Sequence, residues 1–299
     1  MQALEQLTKT RDTIEDLQGI VRTMKTLAAV SIHQYNTAIA SLLDYNRTVE
    51  MGLYIVLQGK APSLKRPVSH GARKLAAVVF GSDRGLCGRF NEEIADFAIA
   101  KMNGFHVKQD DRIVLAVGAR VAARLEERRQ AVEECFFVPG SVSAVTMTVQ
   151  QILLKIDEWR TQREVTDVLL FYNHHDNNAT HQARMLHLLP VELSRFQRVA
   201  EQRWPTHVLP TYNMNREKLF ASLIRQYFFV STFRACAESL ASEHASRLAS
   251  MQAAEGNIED RLHALTTRLR ELRQDSITEE LLDVVAGFET LMSGKYEIG

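Results

Sequence analysis

A glycine-rich turn, Gly81-Ser82-Asp83-Arg84-Gly85-Leu86-Cys87-Gly88, follows the apolar run Leu75 to Phe80. In that position, backbone N–H groups ahead of a helix could cradle a phosphate. The spacing argues against it. The glycines stand at 81, 85 and 88, whereas the dinucleotide fingerprint needs intervals of two and three, and no GKS or GKT phosphate loop is present. Arg84 could pair with a phosphate, but Asp83 beside it would repel one. The glycines are expected to shape a turn, with Asp83 and Arg84 exposed for a protein contact or bonded locally.

Other chemical signals are weaker. His174, His175, Asp176 and His181 are metal-ligand types in an expected loop, without the i, i+4 spacing of a helical zinc motif. Asn178-Ala179-Thr180 is a glycosylation sequon by pattern only. Ser231, Ser239 and the other helical serines have no elbow or partner base to make them nucleophiles. No catalytic constellation, cofactor site or metal site is expected, which favours a mechanical or scaffolding role.

The elements around that turn are easier to read. All six prolines lie between Pro62 and Pro210, and both flanks carry heptad-spaced apolar residues. From Leu4, steps of three and four reach Leu7, Arg11, Ile14, Gln18, Val21, Lys25, Ala28, Ile32, Tyr35, Ile39, Leu42, Asn46, Val49, Leu53 and Val56, of which twelve in sixteen are apolar. From Leu223, the same steps reach Tyr227, Val230, Arg234, Ala237, Ala241, His244, Leu248, Met251, Glu255, Ile258, Leu262, Leu265, Leu269 and Leu272, twelve of fifteen apolar. A step of five then opens a second register through Ile277, Leu281, Val284, Phe288 and Leu291. At 1.5 Å per residue, a C-terminal helix of about 80 residues would approach roughly 120 Å. The alternative is a bundle of shorter helices broken near Gly52 and Gly256. Lys25, on a seam position, is expected to snorkel or to pair with a carboxylate of the partner helix.

Between these helices the period changes. Strands are expected at Leu75 to Phe80, Arg112 to Val117, Cys135 to Val138 and Val168 to Tyr172, with Arg184 to Leu189 as an edge strand. Helices are expected after Asn91 (a plausible N-cap, with Glu92 and Glu93 in the first turn), over Ala119 to Arg129, and from about Ser143 to Arg163. Alternation of this kind implies a mainly parallel sheet covered on both faces. The fold class is therefore α/β: a long antiparallel coiled coil of N- and C-terminal helices with an inserted Rossmann-like α/β domain. The divisions are 1–60, 70–205, 211–293 and a tail, 294–299.

Charge balances, 36 basic against 36 acidic, so no global field recruits nucleic acid or anionic lipid. No run approaches the 18 apolar residues of a membrane span, and Met1 to Asp16 is neither a signal nor a transit peptide. Cys87, Cys135 and Cys236 lack metal or disulfide spacing and suit a reducing compartment.

Three blocks carry a resemblance. Ser82-Asp83-Arg84-Gly85-Leu86-Cys87-Gly88 with Asn91 is similar to an SDRGLCG run. Ser242-Glu243-His244-Ala245-Ser246-Arg247 and Met251-Gln252-Ala253-Ala254-Glu255-Gly256-Asn257 resemble SEQAARM…MKAATDNA, and Arg273-Gln274-Asp275-Ser276-Ile277-Thr278-Glu279-Glu280-Leu281 resembles RQASITQEL. Leu17 to Ala29 resembles TQKITKAMxxVAA less closely, with Gly19 in place of a basic residue. By these blocks the chain resembles the gamma subunit of F-type ATP synthases, in a divergent bacterial branch such as a second ATPase with its own partners.

The resemblance implies a central rotor shaft inside three alpha and three beta subunits, coupling ion flow to ATP synthesis or hydrolysis on beta. It implies an epsilon subunit and a membrane rotor ring as further partners, and a peripheral place on the cytoplasmic face of the bacterial inner membrane. It implies coupling contacts with beta at Arg273, Gln274, Thr278 and Glu280, and at Met24 and Arg22, with Asp83, Arg84 and Cys87 as a subunit-contact loop. Such a subunit has no catalytic residues of its own. A coiled-coil adaptor without ATPase partners shares the heptads but not the three blocks. A Rossmann-like enzyme with helical arms needs a ligand site that the loop spacing does not supply.

Overall fold

The computed structural model describes residues 2–58, 74–176, 179–192, 196 and 211–293. The prolines at 62, 67, 205 and 210, the sequon's Asn178, and the tail 294–299 lie outside them, as do the side chains of Phe288 and Leu291. Helix α1 spans Gln2–Leu57 and helix α5 spans Arg216–Ser293, so neither breaks at Gly52 or Gly256. The chain divides into two compact units, Met1–Thr26 with Ser250–Gly299, and Leu27–Ala249.

In the first unit the helices run antiparallel, since Arg22 reaches Glu259 while Lys25 reaches Glu255. Every heptad position from Leu4 to Lys25 and from Met251 to Leu272 is at least half-buried. The expected second register departs from this. Ile277, Leu281 and Val284 are 59%, 60% and 70% exposed. Two causes act together. Helix α5 keeps its first register one step further, to the half-buried Ser276, which turns Ile277 outward. Beyond about residue 280, at the observed pairing, α5 lies past the described residues of α1.

The second unit holds a five-stranded sheet in the order β3-β2-β1-β4-β5. The strands are β1 (Leu75–Phe80), β2 (Arg112–Val117), β3 (Glu134–Phe136), β4 (Asp167–Asp176) and β5 (Ala179–Leu189). The first four pair in parallel, and β5 joins β4 as an antiparallel edge. His174 and His175 thus lie on β4 and His181 on β5, in extended backbone rather than the expected loop. All six β1 residues are buried, as a central parallel strand covered on both faces requires.

One face of the sheet packs on α2 (Phe90–Asn103) and α3 (Ala119–Glu127), with Ile94, Met102, Val121 and Leu125 against Ala77, Val79 and Phe171. The other packs on α4 (Val142–Gln162) and on the middle of α5, with Val149, Ile152, Trp159, Cys236 and Leu240 against Val78, Phe80 and Leu170. Ser141 caps α4, its hydroxyl accepting from Ala144 N at 3.3 Å. Asn91 does not cap α2. The helix starts at Phe90, whose ring is drawn fully into the core, so Asn91 falls inside the first turn.

Helices α1 and α5 also pair antiparallel within this unit. Tyr45 donates to Gln226 at 3.0 Å, and the ring of Tyr35 stacks on that of His244, centroids 5.8 Å apart and 14° from coplanar. Val49, Leu53 and Val56 close the seam on Phe220 and Tyr227. Burying each such side chain contributes about 1.5–3 kcal/mol. Burial pushes the His244 imidazole down to about 4, and the cation of Arg247 adds to the effect.

That depression has a sign. Between its ordinary value of 6.5 and about 4, the unfolded chain binds a proton that the folded chain refuses, so stability falls as pH falls through this window. The loss reaches up to about 3 kcal/mol. Replacing His244→Phe should remove it. The thermal midpoint of the purified variant should drop less between pH 7.5 and 4.5 than the parent's; equal drops would show that His244 is not the group responsible.

Candidate functional site

Doubly wound sheets bind ligands beyond the carboxyl ends of their parallel strands, where the strand order reverses. Here it reverses between β1 and β4: the chain passes from β1 outward through β2 and β3, then returns to β4 on the other side of β1. That crevice is filled by the chain's own helix. Ser239 Oγ approaches the carbonyl of Phe80 at the end of β1 (3.5 Å), and Ser242 Oγ donates to the carbonyl of Asn173 on β4 (3.1 Å). Ser246 Oγ lies 2.8 Å from His181 Nδ1 on β5. Steps of three and four place these hydroxyls on one face of α5, small enough for the helix to settle onto the strand ends.

Charged groups complete the joint. Glu238 is buried and accepts from Arg234 Nε at 2.6 Å, while its other oxygen lies 2.8 Å from His174 Nδ1. Glu243, also buried, pairs with Arg247 at 2.7 Å, and the same Arg247 nitrogen reaches the carbonyl of Gly85 at 3.4 Å. Burial pushes the Glu243 carboxyl up, against the opposing pull of Arg247. Its Oε2 has no partner among the described residues.

The glycine-rich turn is held from beneath. Asn91 Oδ1 accepts from Ser82 N (2.9 Å), and its amide donates to Ser82 Oγ (2.8 Å) and towards Cys87 Sγ (3.6 Å). Gly118 takes φ +120°, and a Cβ there would stand 2.8 Å from the Ser82 backbone. At Gly81 a Cβ would come within 2.3 Å of Val121. These glycines let two backbones cross.

Asp83 is spent inside the fold. Its carboxylate accepts from Ala119 N (2.9 Å) at the start of α3 and from Val138 N (2.8 Å) after β3. Cys87 is buried, and that burial pushes its thiol up. Arg84 is exposed, and Leu86, 60% exposed at φ +64°, sits on the outside of the turn. Of the three residues expected there as contacts, only Arg84 presents its side chain outward.

Arg273, Gln274, Thr278 and Glu280 are exposed on α5, with the Thr278 hydroxyl donating to Gln274 O at 2.8 Å. Arg22 is exposed but paired with Glu255 and Glu259, and Met24 is half-buried. The structure does not bring the two sets together. Residue 273 lies about 14 residues beyond Glu259, about 21 Å further along α5. The residues that sequence reasoning missed are the α5 hydroxyl face with Glu238, Glu243 and Arg247. The signal was there in the spacing of Ser239, Ser242 and Ser246, a second stripe beside the apolar seam.

Residues 3–291 match the family model described as ATP synthase. The chain is similar to the ATP synthase gamma chain of Bacteroides fragilis, 26% identical over 304 residues covering 96% of this chain and 99% of the relative. In fold it resembles a chain of the Euglena gracilis mitochondrial ATP synthase OSCP/F1/c-ring assembly (TM-score 0.61, 14% identity, 98% of this chain and 96% of that one). It also resembles a chain of the Tetrahymena thermophila mitochondrial ATP synthase central stalk and c-ring (TM-score 0.54, 20% identity, 79% and 99%).

The joint between α5 and the turn can be opened without stranding a charge. In a Cys135→Ser background, the pair Glu243→Gln with Arg247→Met removes the hold on Gly85 and both buried charges together. Cys87 should then react with maleimide at least about tenfold faster than in the parent, in proportion to its gain in exposure. An unchanged rate would mean that Arg247 does not hold the turn.

Proposed function

The chain belongs to the ATP synthase family, and on that premise we propose the working parts of a gamma subunit, the central stalk of a rotary ATP synthase. Such a stalk is not catalytic; the chemistry of ATP takes place on beta subunits, and this chain acts by the shape it presents to them. The proposed assembly has three alpha and three beta subunits around the coiled-coil pair, an epsilon subunit and a membrane rotor ring. Its proposed place is peripheral, on the cytoplasmic face of the bacterial inner membrane. Among the described residues no helix is long and apolar enough to cross a membrane.

One observation carries the contact assignment. Beyond Ser276 α5 leaves the seam, and around that point it exposes Arg273, Gln274, Thr278 and Glu280 together with Ile277, Leu281, Leu282, Val284 and Val285. A run of large apolar side chains without cover marks a surface that another chain completes. We assign coupling contacts with beta to Arg273, Gln274, Thr278 and Glu280, and a second set to Met24 with the guanidinium of Arg22. Arg84 is the proposed contact on the turn, where Asp83 and Cys87 shape the loop from within. An enzyme reading fares worse, because the crevice that would take its ligand is filled by α5.

Purification through a tag on this chain tests the reading. Alpha, beta and epsilon subunits should co-purify at three, three and one per chain. With Arg273→Ala and Gln274→Ala together, the complex should stay intact while ATP turnover falls about threefold or more, under 1 kcal/mol in barrier at the lower bound. Parental turnover in the double variant would defeat the contact assignment, and a chain recovered alone would defeat the assembly.

A further inference from the structure

Three seam positions of the second unit carry polar side chains: Asn46 on α1, and Arg234 and His244 on α5. His244 is matched across the seam by the ring of Tyr35. Asn46 and Arg234 are not matched to each other. Asn46 Nδ2 donates to Glu50 Oε1 on its own helix (3.1 Å), and Arg234 Nε donates to Glu238 on its own helix (2.6 Å). Where they stand, α1, α5 and β4 leave a cavity of about 140 Å³, whose walls include Asn46, Glu50, Tyr172, Tyr227, Ser231 and Arg234.

Three donors line this space from one face of α5. Tyr227, Ser231 and Arg234 are spaced by four and then three residues, which stacks them on adjacent turns. Among the described residues neither the Tyr227 nor the Ser231 hydroxyl has a hydrogen-bond partner, and the Arg234 guanidinium donates only through Nε. Hydroxyls elsewhere on α5, such as that of Thr266, bond back to the carbonyl four residues earlier (2.7 Å). Ser231 is buried and does not. Buried donors without acceptors are costly, and one ligand that accepts from all three removes that cost.

The wall on α1 carries the opposite charge. Glu50 takes the Asn46 bond with one oxygen, and a carboxylate has acceptor capacity for several donors. Burial pulls the Arg234 guanidinium down, but Glu238 first, then Tyr172 and Glu50, hold it above its ordinary value. Arg234 and Glu50 thus feel each other across the cavity without closing into an ion pair. A lone anion there meets Glu50, and a lone cation meets Arg234. A molecule with both charges is attracted at both ends. A void of about 150 Å³ accommodates about six heavy atoms, the size of L-alanine. We propose that this cavity binds a small zwitterion, an α-amino acid, with its carboxylate on Tyr227, Ser231 and Arg234 and its ammonium on Glu50. Bound there, the ligand ties α1 to α5. The site goes beyond the rotary-stalk reading and does not depend on it.

Calorimetric titration of the purified full chain with L-alanine tests the site. Binding should saturate with a dissociation constant of roughly 1 mM, within reach of a ligand this small. Acetate and ethylamine each carry one of the two charges and should bind at least about tenfold more weakly. The pair Tyr227→Phe with Ser231→Ala removes two hydroxyls and no charge. It should weaken L-alanine about tenfold, while the thermal midpoint without ligand stays level or rises, because two unpartnered donors are gone. Glu50→Gln should weaken L-alanine and leave acetate no weaker than in the parent. Absence of saturable L-alanine binding would overturn the proposal, as would equal affinity in the parent and the hydroxyl-deleted pair. Acetate binding as tightly as L-alanine would overturn it too, since Glu50 would then hold no ammonium.

Discussion

The placement of α5 on the carboxyl ends of β1 and β4 is the constraint from which the rest of the second unit follows. Between Val230 and Ser246 nearly every residue of this helix is buried, on the side facing α1 and on the side facing the sheet. A helix can be covered on two sides only if one of them is thin. Ala235, Ser239, Ser242 and Ser246 supply that thinness, and the three serine hydroxyls meet the carbonyls of Phe80 and Asn173 and the imidazole of His181. The crevice that lets related sheets bind nucleotides is thereby used as a socket for a helix.

This exchange sets the chemistry of the turn after β1. Its glycines allow the backbone of Ser82 to cross that of Gly118, and its acid anchors α3 and the chain after β3. Groups that would bind a ligand in another protein are used here to hold the loop to the fold and, through Arg247, to α5. The buried Glu243–Arg247 pair adds little net stability against its desolvation, and it joins helix to turn at one defined height.

Much of the fold was legible because burial imposes a period. Every position of the first heptad register is covered on both helices, and β1 begins and ends where its apolar run does. Local propensity failed where tertiary packing overrode it. Asn91 has the chemistry of a cap, but the pull of Phe90 into the core moved the helix start and left its amide to hold Ser82. Asp83 looked available because nothing in the local sequence reveals the N–H groups of Ala119 and Val138 that fold back onto it. The second register expected after Leu272 did not open there, because the first continues to the half-buried Ser276 and turns Ile277 outward. The contact candidates at 273–280 were legible as a break in spacing, whereas the bracing of Arg22 by Glu255 and Glu259 required knowing which turns of two distant segments meet.

Helix α5 is continuous from Arg216 to Ser293, and the proposed coupling runs along it. Leu265 lies half-buried in the seam of the first unit, and proline at that point removes a backbone hydrogen bond and costs about 3 kcal/mol or more. The most direct measurement is ions pumped per ATP hydrolysed, in inverted vesicles carrying the assembled complex with Leu265→Pro. Hydrolysis should continue with a sharply lower pumping ratio. A ratio equal to the parent's would contradict this, because coupling would then not pass through the seam.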